Sequence, residues 1–530
     1  MSVSIRRAVV TAICVSGLSS CGGGGGGDAS TASTDPLFAR QWHLKSTGQV
    51  PARGTGAAPG ADINVEPVWS SCGEGGTCKG EGVTIAVVDI GLEIAHRDLQ
   101  PNISTALTHR IYPSTGPTTG NPSAPASTSD DFSHGTQVGG IIAARDTNGL
   151  GGRGVAPRAS LVGYSMLLNR TDSNEADAMT YQAASIAVSN NSWGPPDGSG
   201  RIDESSALWR DAIDYGLANG RSGRGTIYVW PAGNGYAASG ELSNEDGYAN
   251  YRGVIAAGAL NAQGKRAPYS EPGANVWIAA PGGDDCATAL GVTTTDLSGR
   301  FGANNGATAT ELSDADYTQC AVGTSFSTAV VSGVAALMVQ ANPALTWRDV
   351  RTIMARTARQ NDASDAGWAI NSAGRRIHHT YGFGMVDTAA AVTAARGWTN
   401  LPVQRAFQSP LQTVNLPIPE NPGAPVSSNI TVAGSGISKI EWVDVIFTAA
   451  DHTYAADLQI VLISPSGTQS ILASPHGCAA DNCNEYVGWR FGVARLLDEP
   501  ADGVWQLVVR DRQDGDTGTF QSWQIKVYGH

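Results

Sequence analysis

The sequence predicts an α/β protein in which a parallel sheet covered by helices is followed by a separate all-β domain. Three observations carry that expectation. Between about residues 80 and 396, β-type apolar runs alternate with helix-like segments, the pattern of strands joined by crossover helices. A stretch rich in Pro and Asn around residues 399–425 then reads as a linker. Beyond it the hydrophobic period changes to two, as in half-buried strands.

In chain order, the apolar run at residues 83–88 is the first buried strand, and residues 160–164 and 226–230 are further strands of the same kind. Residues 329–341 are apolar nearly all round, as a central helix should be. Thr346-Trp347-Arg348-Asp349 looks like a capping box opening the next helix, through Ala358. In the last segment Val443, Val445 and Phe447 alternate with Asp444 and Thr448, and Trp505, Leu507 and Val509 with Gln506 and Arg510. Trp523, Ile525 and Val527 repeat the theme, with turn signals at Ser464-Pro465-Ser466-Gly467 and Asp514-Gly515. A β-sandwich of roughly 125 residues follows.

The first residues are not part of either domain. Arg6-Arg7 and the short apolar stretch 8–18 read as a secretory signal, too short to span a membrane. Leu18-Ser19-Ser20-Cys21 resembles a bacterial lipobox, so residues 1–21 are taken as a signal with lipid attached at Cys21, and residues 22–34 as a flexible Gly-rich tether. Residues 35–398 and 399–530 are then the two folded domains. The expected location is outside the cytoplasm, anchored to the envelope by that lipid or secreted.

With 530 residues, 41% of them hydrophobic and 15% charged, the chain is globular and long enough for two or three domains. A net charge of −13 argues against a nucleic-acid partner and favours cationic ligands, either basic peptides or metal ions. Of eight cysteines, setting aside Cys14 and Cys21 leaves three sequence-local pairs: Cys72 with Cys78, Cys286 with Cys320, and Cys478 with Cys483. These are expected disulfides of an oxidising compartment.

Three far-separated segments carry chemistry. Asp89 ends the first strand, His134 opens HGTQVGGIIA, and Ser325 sits in GTSFSTAVVSGVAAL. A serine hydroxyl is a poor nucleophile, and needs an imidazole to take its proton and a carboxylate to hold that imidazole. With these flanks, and in the chain order Asp, His, Ser, the segments resemble those of subtilisin-like serine proteases. Residues 457–472 and 497–529 resemble the P domain, a jelly-roll-like β-sandwich that follows the catalytic domain in kexin- and furin-like members.

The resemblance implies further roles. Asn234, in Trp230-Pro231-Ala232-Gly233-Asn234-Gly235, matches the subtilase asparagine that donates to the tetrahedral oxyanion. Ser192-Trp193-Gly194 resembles the strand that pairs with substrate backbone. Asp197 and Asp246 match acids lining the S1 pocket, which implies cleavage after Arg or Lys. Asp131 and Asp203 align with acids of the S2 and S4 subsites. Calcium is the implied cofactor. Asp35, Asp98 and Asn148 with carbonyls of Arg145, Leu150 and Gly152 correspond to one site, and Asp197, Glu241 and Glu271 to a second beneath S1.

Two departures modify this. Ile90 stands where the family has a second aspartate after the triad Asp, so a preference at P1 with looser demands at P2 is expected. Relatives often carry a large prosegment as folding chaperone, whereas here Asp35-Pro36-Leu37-Phe38 follows the tether; folding is expected to be unaided or helped by a separate chaperone protein. The expected activity is that of a calcium-dependent, monomeric serine endopeptidase acting on basic protein segments. A broad-specificity protease and a surface-anchored binding protein using the β-sandwich are the alternatives.

Overall fold

The computed structural model describes residues 35–50, 54–72, 76–123, 130–478 and 485–530, and for Asp130 and Asp131 the backbone alone. The expected signal, lipidated Cys21, tether and Cys483 lie outside them.

The strand Thr84–Val88 is a run of β-branched and small apolar residues, buried almost throughout, as befits a strand covered on both faces. It lies inside an eight-stranded sheet. In spatial order the strands are Thr118–Thr119, Arg110–Ile111, Ser160–Ser165, Thr84–Val88, Val188–Asn191, Ile227–Pro231, Val254–Leu260 and Ile278–Pro281. Every pairing is parallel except the first, a two-residue antiparallel edge. Parallel sheets place their ligand sites beyond the carboxyl ends of the strands. Asp89 directly follows Thr84–Val88, Ser192 follows Val188–Asn191, and Asn234 lies three residues past Ile227–Pro231.

Two helices bring the other site residues to that end. His134–Ala143 starts on His134 and buries everything after it. Gly140 is required there, because a Cβ would lie 2.2 Å from Thr295 Oγ1 and 2.5 Å from Thr294 Oγ1. Those hydroxyls donate to the carbonyls of Thr136 and Gln137 at 2.7 and 2.8 Å, fixing the helix's first turns. The helix Thr324–Ala341 has no polar face and is buried along nearly its whole length, so its apolarity serves the core. Trp347–Thr357 opens on the expected capping box between Thr346 and Asp349.

The second domain is a sandwich of two antiparallel sheets, one of five strands and one of four. Two expectations are corrected. The stretch read as a linker holds the strands Arg405–Gln408 and Gln412–Ile418, which pair with Gly518–Gly529; its prolines fall at strand ends or on an edge, where a missing N–H is tolerated. Asp444 was expected to face solvent, but Ile440–Ala449 is buried on both faces along its first six residues. That strand lies between the sandwich core and the first domain, and Asp444 accepts from Trp442 Nε1 at 2.7 Å.

Cys72 is bonded to Cys78 and Cys286 to Cys320. Cys478 is also disulfide-bonded.

Candidate active site

Asp89 is fixed by its place at a strand end. Its Oδ2 and Oδ1 lie 2.9 and 3.0 Å from His134 Nδ1, and Oδ1 accepts the Ile90 amide at 2.7 Å. A carboxylate on Nδ1 selects the tautomer protonated there, which leaves Nε2 as the basic nitrogen. The His134 ring tilts against Phe326, centroid to centroid 5.7 Å.

Ser325, half-buried, occupies the first turn of Thr324–Ala341. Its hydroxyl donates to Ser192 O at 3.3 Å, and Ser192 Oγ donates back to Ser325 O at 2.9 Å. The Asn234 side chain is oriented from the same turn: its Oδ1 accepts from Thr324 N at 2.9 Å and Thr324 Oγ1 at 2.8 Å. The amide nitrogen is thereby turned the other way, with one hydrogen directed to Asp197 Oδ2 at 3.2 Å.

Beside Ser325 and Asn234 a pocket is lined by Ser192–Gly194 together with Asp197, Glu241, Glu245, Asp246 and Glu271, against a single cation, Arg201. Five carboxylates in one cavity demand cationic company. Burial pushes Asp246 up to about 7, although the amides of Tyr248 and Ala249 pull it down. Glu271 rises well above the usual carboxylate range through burial and the neighbouring acids, against the Gly235 amide. Asp197 is raised by desolvation and Glu241, against two donors of Asn234. The aromatic wall is stiff: Trp193 packs edge-on to Trp230 at 4.6 Å and to Tyr248 at 5.2 Å.

Oxygens of Asp197, Glu241 and Glu271 all lie within 4.8 Å of one another, a hard-oxygen set that suits calcium. The other expected cation site is partly assembled. Asp98 Oδ2 is buried without a hydrogen bond, and Oδ1 takes Asn148 Nδ2 at 2.7 Å. Burial, with Asp35 contributing, lifts Asp98 to about 7. Both observations fit a cation at Asp98, while the Asn148 oxygen is engaged by Leu150 N at 3.0 Å. Asp35 also pairs with Arg153, whose Nε lies at 2.9 Å. The loop through Arg145, Leu150 and Gly152 meets Asp35's segment where Leu37 N donates to Gly151 O at 2.7 Å.

Asp203 is not in the acidic pocket. Its backbone bridges to Asp246, while its side chain lines a separate hollow with Arg201 and Trp489. The Asp131 side chain lies outside the described residues. Sequence reasoning passed over Glu245, adjacent to Asp246 and buried in the same pocket, and Arg170, which donates to Gly194 O at 2.7 Å and lies 4.9 Å over the Trp193 ring. Glu245 had a signal, an acid beside an assigned acid; Arg170 had none.

Residues 80–384 match the family described as subtilase, and residues 440–527 match the proprotein convertase P-domain. Proprotein convertase subtilisin/kexin type 7 of Mus musculus is 32% identical over 503 residues, 93% of this chain and 61% of that protein. Type 4 from the same species is 30% identical, covering 94% of this chain and 70% of that one. The chain thus spans about three fifths of the length of the type 7 relatives. Among solved structures, a serine protease of Aeromonas sobria superposes with a TM-score of 0.81 at 28% identity, over 94% of this chain and 96% of that one. The same protease in complex with a chaperone gives 0.80 at 27% identity, over 94% and 95%.

Proposed function

Because this chain belongs to the subtilase family, with a proprotein convertase P-domain behind its catalytic domain, we propose that it is a serine endopeptidase cleaving after Arg or Lys. The observation that carries the reading is the Asp89–His134 pair at 2.9 Å on the same rim as Ser325 and an acid-lined pocket. In the reaction the Ser325 hydroxyl turns from Ser192 O to His134 Nε2, loses its proton there and attacks the carbonyl carbon of the peptide bond. Asn234 Nδ2, which carries a second hydrogen, and the Ser325 amide hold the resulting oxyanion. His134 then gives its proton to the leaving amine, and water releases the acyl group by the same steps reversed.

Asp246 meets the guanidinium or ammonium of the P1 residue, and an apolar P1 leaves that carboxylate unpaired. Asp197, Glu241 and Glu271 would hold one calcium ion, and Asp35, Asp98 and Asn148 another. Calcium there supplies positive charge that relieves buried carboxylates. A location outside the cytoplasm fits the disulfides, and lipid at Cys21 would anchor the chain. A separate chaperone protein is the proposed folding partner, as one accompanies the Aeromonas sobria protease.

Peptides differing only at P1, assayed with and without chelator on wild type and Ser325→Ala, test the reading. Cleavage after Arg should exceed cleavage after Leu by at least about tenfold, require calcium and vanish in Ser325→Ala. Equal turnover of the Arg and Leu peptides would remove the S1 assignment.

A further inference from the structure

The acidic pocket is braced from behind by the second domain. The short turn Ser243–Glu245 leads directly into Asp246, and side chains of the sandwich grip two of its residues. Trp489 Nε1 donates to Asn244 O at 3.1 Å, and Asn244 Nδ2 reaches Gly492 O at 2.9 Å. Tyr486 OH donates to Glu245 Oε1 at 2.6 Å, and His476 Nε2 lies 3.2 Å from Glu245 Oε2. His476 Nε2 is also 3.2 Å from Gly200 O, so one ring touches both the turn and the loop whose amides hold Glu241. The approach is close: a Cβ on Gly200 would fall 2.0 Å from Gly477 O. Glu245 and Tyr486 are 3% and 1% exposed, so these bonds form away from water.

We propose that Tyr486, His476 and Trp489 are positioning residues for substrate selection, reaching from the P domain to set the S1 acid. Their hold on Asn244 and Glu245 fixes where the chain enters Asp246. They also hold the Glu245 carboxylate, Tyr486 by its hydrogen bond to Oε1 and His476 as a basic ring 3.2 Å from Oε2, so the P1 cation meets the carboxylate of Asp246 and not a second, mobile acid beside it. Within the first domain the backbone of this turn is held by Glu245 N on Leu242 O at 2.8 Å and Asp203 N on Glu245 O at 3.0 Å, bonds that reach neither the Asn244 carbonyl nor the Glu245 carboxylate. The grip from the other domain reaches both. This rests on the S1 reading given above.

The test uses the full chain as wild type, Tyr486→Phe, Trp489→Phe, Glu245→Gln and Glu245→Gln/Tyr486→Phe, with matched peptides carrying Arg or Leu at P1. Tyr486→Phe keeps the buried ring and removes one hydrogen bond. The Arg-to-Leu ratio of kcat/KM should fall roughly tenfold, carried by KM for the Arg peptide. The double variant should lose no more than Glu245→Gln alone, since Tyr486 acts through Glu245. Trp489→Phe, acting through Asn244, should lower the ratio in the same way and stands in where Tyr486→Phe fails to fold. Loss of both peptides in equal proportion, an unchanged ratio, or additive losses in the double variant would overturn the proposal. A wild type indifferent to P1 ends the S1 reading and this one with it. A discriminating wild type with equally discriminating variants ends this one alone.

Discussion

Burial pushes the Asp246 carboxyl up to about 7, and Asp197 adds to that push, while the amides of Tyr248 and Ala249 and the Arg170 charge oppose it. The sign for activity follows. A P1 cation binds the ionised form, so as pH falls through 7 the free enzyme carries more neutral Asp246 and kcat/KM for an Arg peptide drops. The triad serves every substrate alike, so the Arg-to-Leu ratio isolates the pocket. That ratio should fall between pH 8 and pH 6 in wild type, by less than about tenfold because calcium on Asp197 offsets the neighbouring charge, and become low and flat in Asp246→Asn; a flat ratio in wild type would show that Asp246 does not titrate against substrate. At this scale the sequence was legible where several neighbours share one purpose. Asp89, His134 and Ser325 stand in flanks that make a strand end and two helix starts. Glu241 was assigned through the family resemblance alone, and its capping by the amides of Gly198 and Gly200 is a tertiary fact. Tyr486 and His476 could not be read at all, because a residue that bonds to another domain has no local pattern.

The helix His134–Ala143 shows how an element transmits force to the site. Thr294 and Thr295 hold its first turn through carbonyl hydrogen bonds, and Gly140 leaves the room in which their hydroxyls sit. Gly140→Ala has good helix propensity but places a methyl group against both hydroxyls, and overpacking of this kind costs about 1–3 kcal/mol. The expected outcome is a lower midpoint in urea together with a fall in kcat larger than any change in KM, because His134 moves and the acidic pocket does not. Unchanged kcat with lowered stability would mean that the helix start is held by something else. The elements themselves were largely legible: continuous apolar runs gave the central strands, and the capping box gave Trp347–Thr357. The strands Arg405–Gln408 and Gln412–Ile418 were not, since edge strands with exposed faces lack the alternation that burial imposes.

The two domains share one seam, and its chemistry argues that they unfold together. Glu441 begins the doubly buried strand of the sandwich and faces Arg348 of the helix Trp347–Thr357, with Oε2 2.7 Å from Arg348 Nε. His530 Nδ1 lies 2.8 Å from Oε1, and Arg351 is stacked between Trp277 at 3.8 Å and Trp442 at 5.0 Å. Desolvation opposes the Glu441 charge, yet Arg348 and His530 hold its carboxyl below the usual range. A depressed acid contributes stability above its unfolded value near 4.5, and that contribution is lost as pH falls through the lower folded value. Asp444 explains why the sequence pattern misled here: an acid at an alternating position reads as solvent-facing unless a second domain covers that face. Glu441→Gln removes the charge and leaves Arg348 buried without its counter-ion, a change that typically costs about 3–5 kcal/mol. Calorimetry at neutral pH should show one transition for wild type and one for the variant, the variant's at lower temperature. Because the seam joins the two cores, weakening it lowers the stability of the whole. Two separate transitions in wild type would mean that each domain stands without the other, and the brace behind Asp246 would then rest on a seam too weak to hold it.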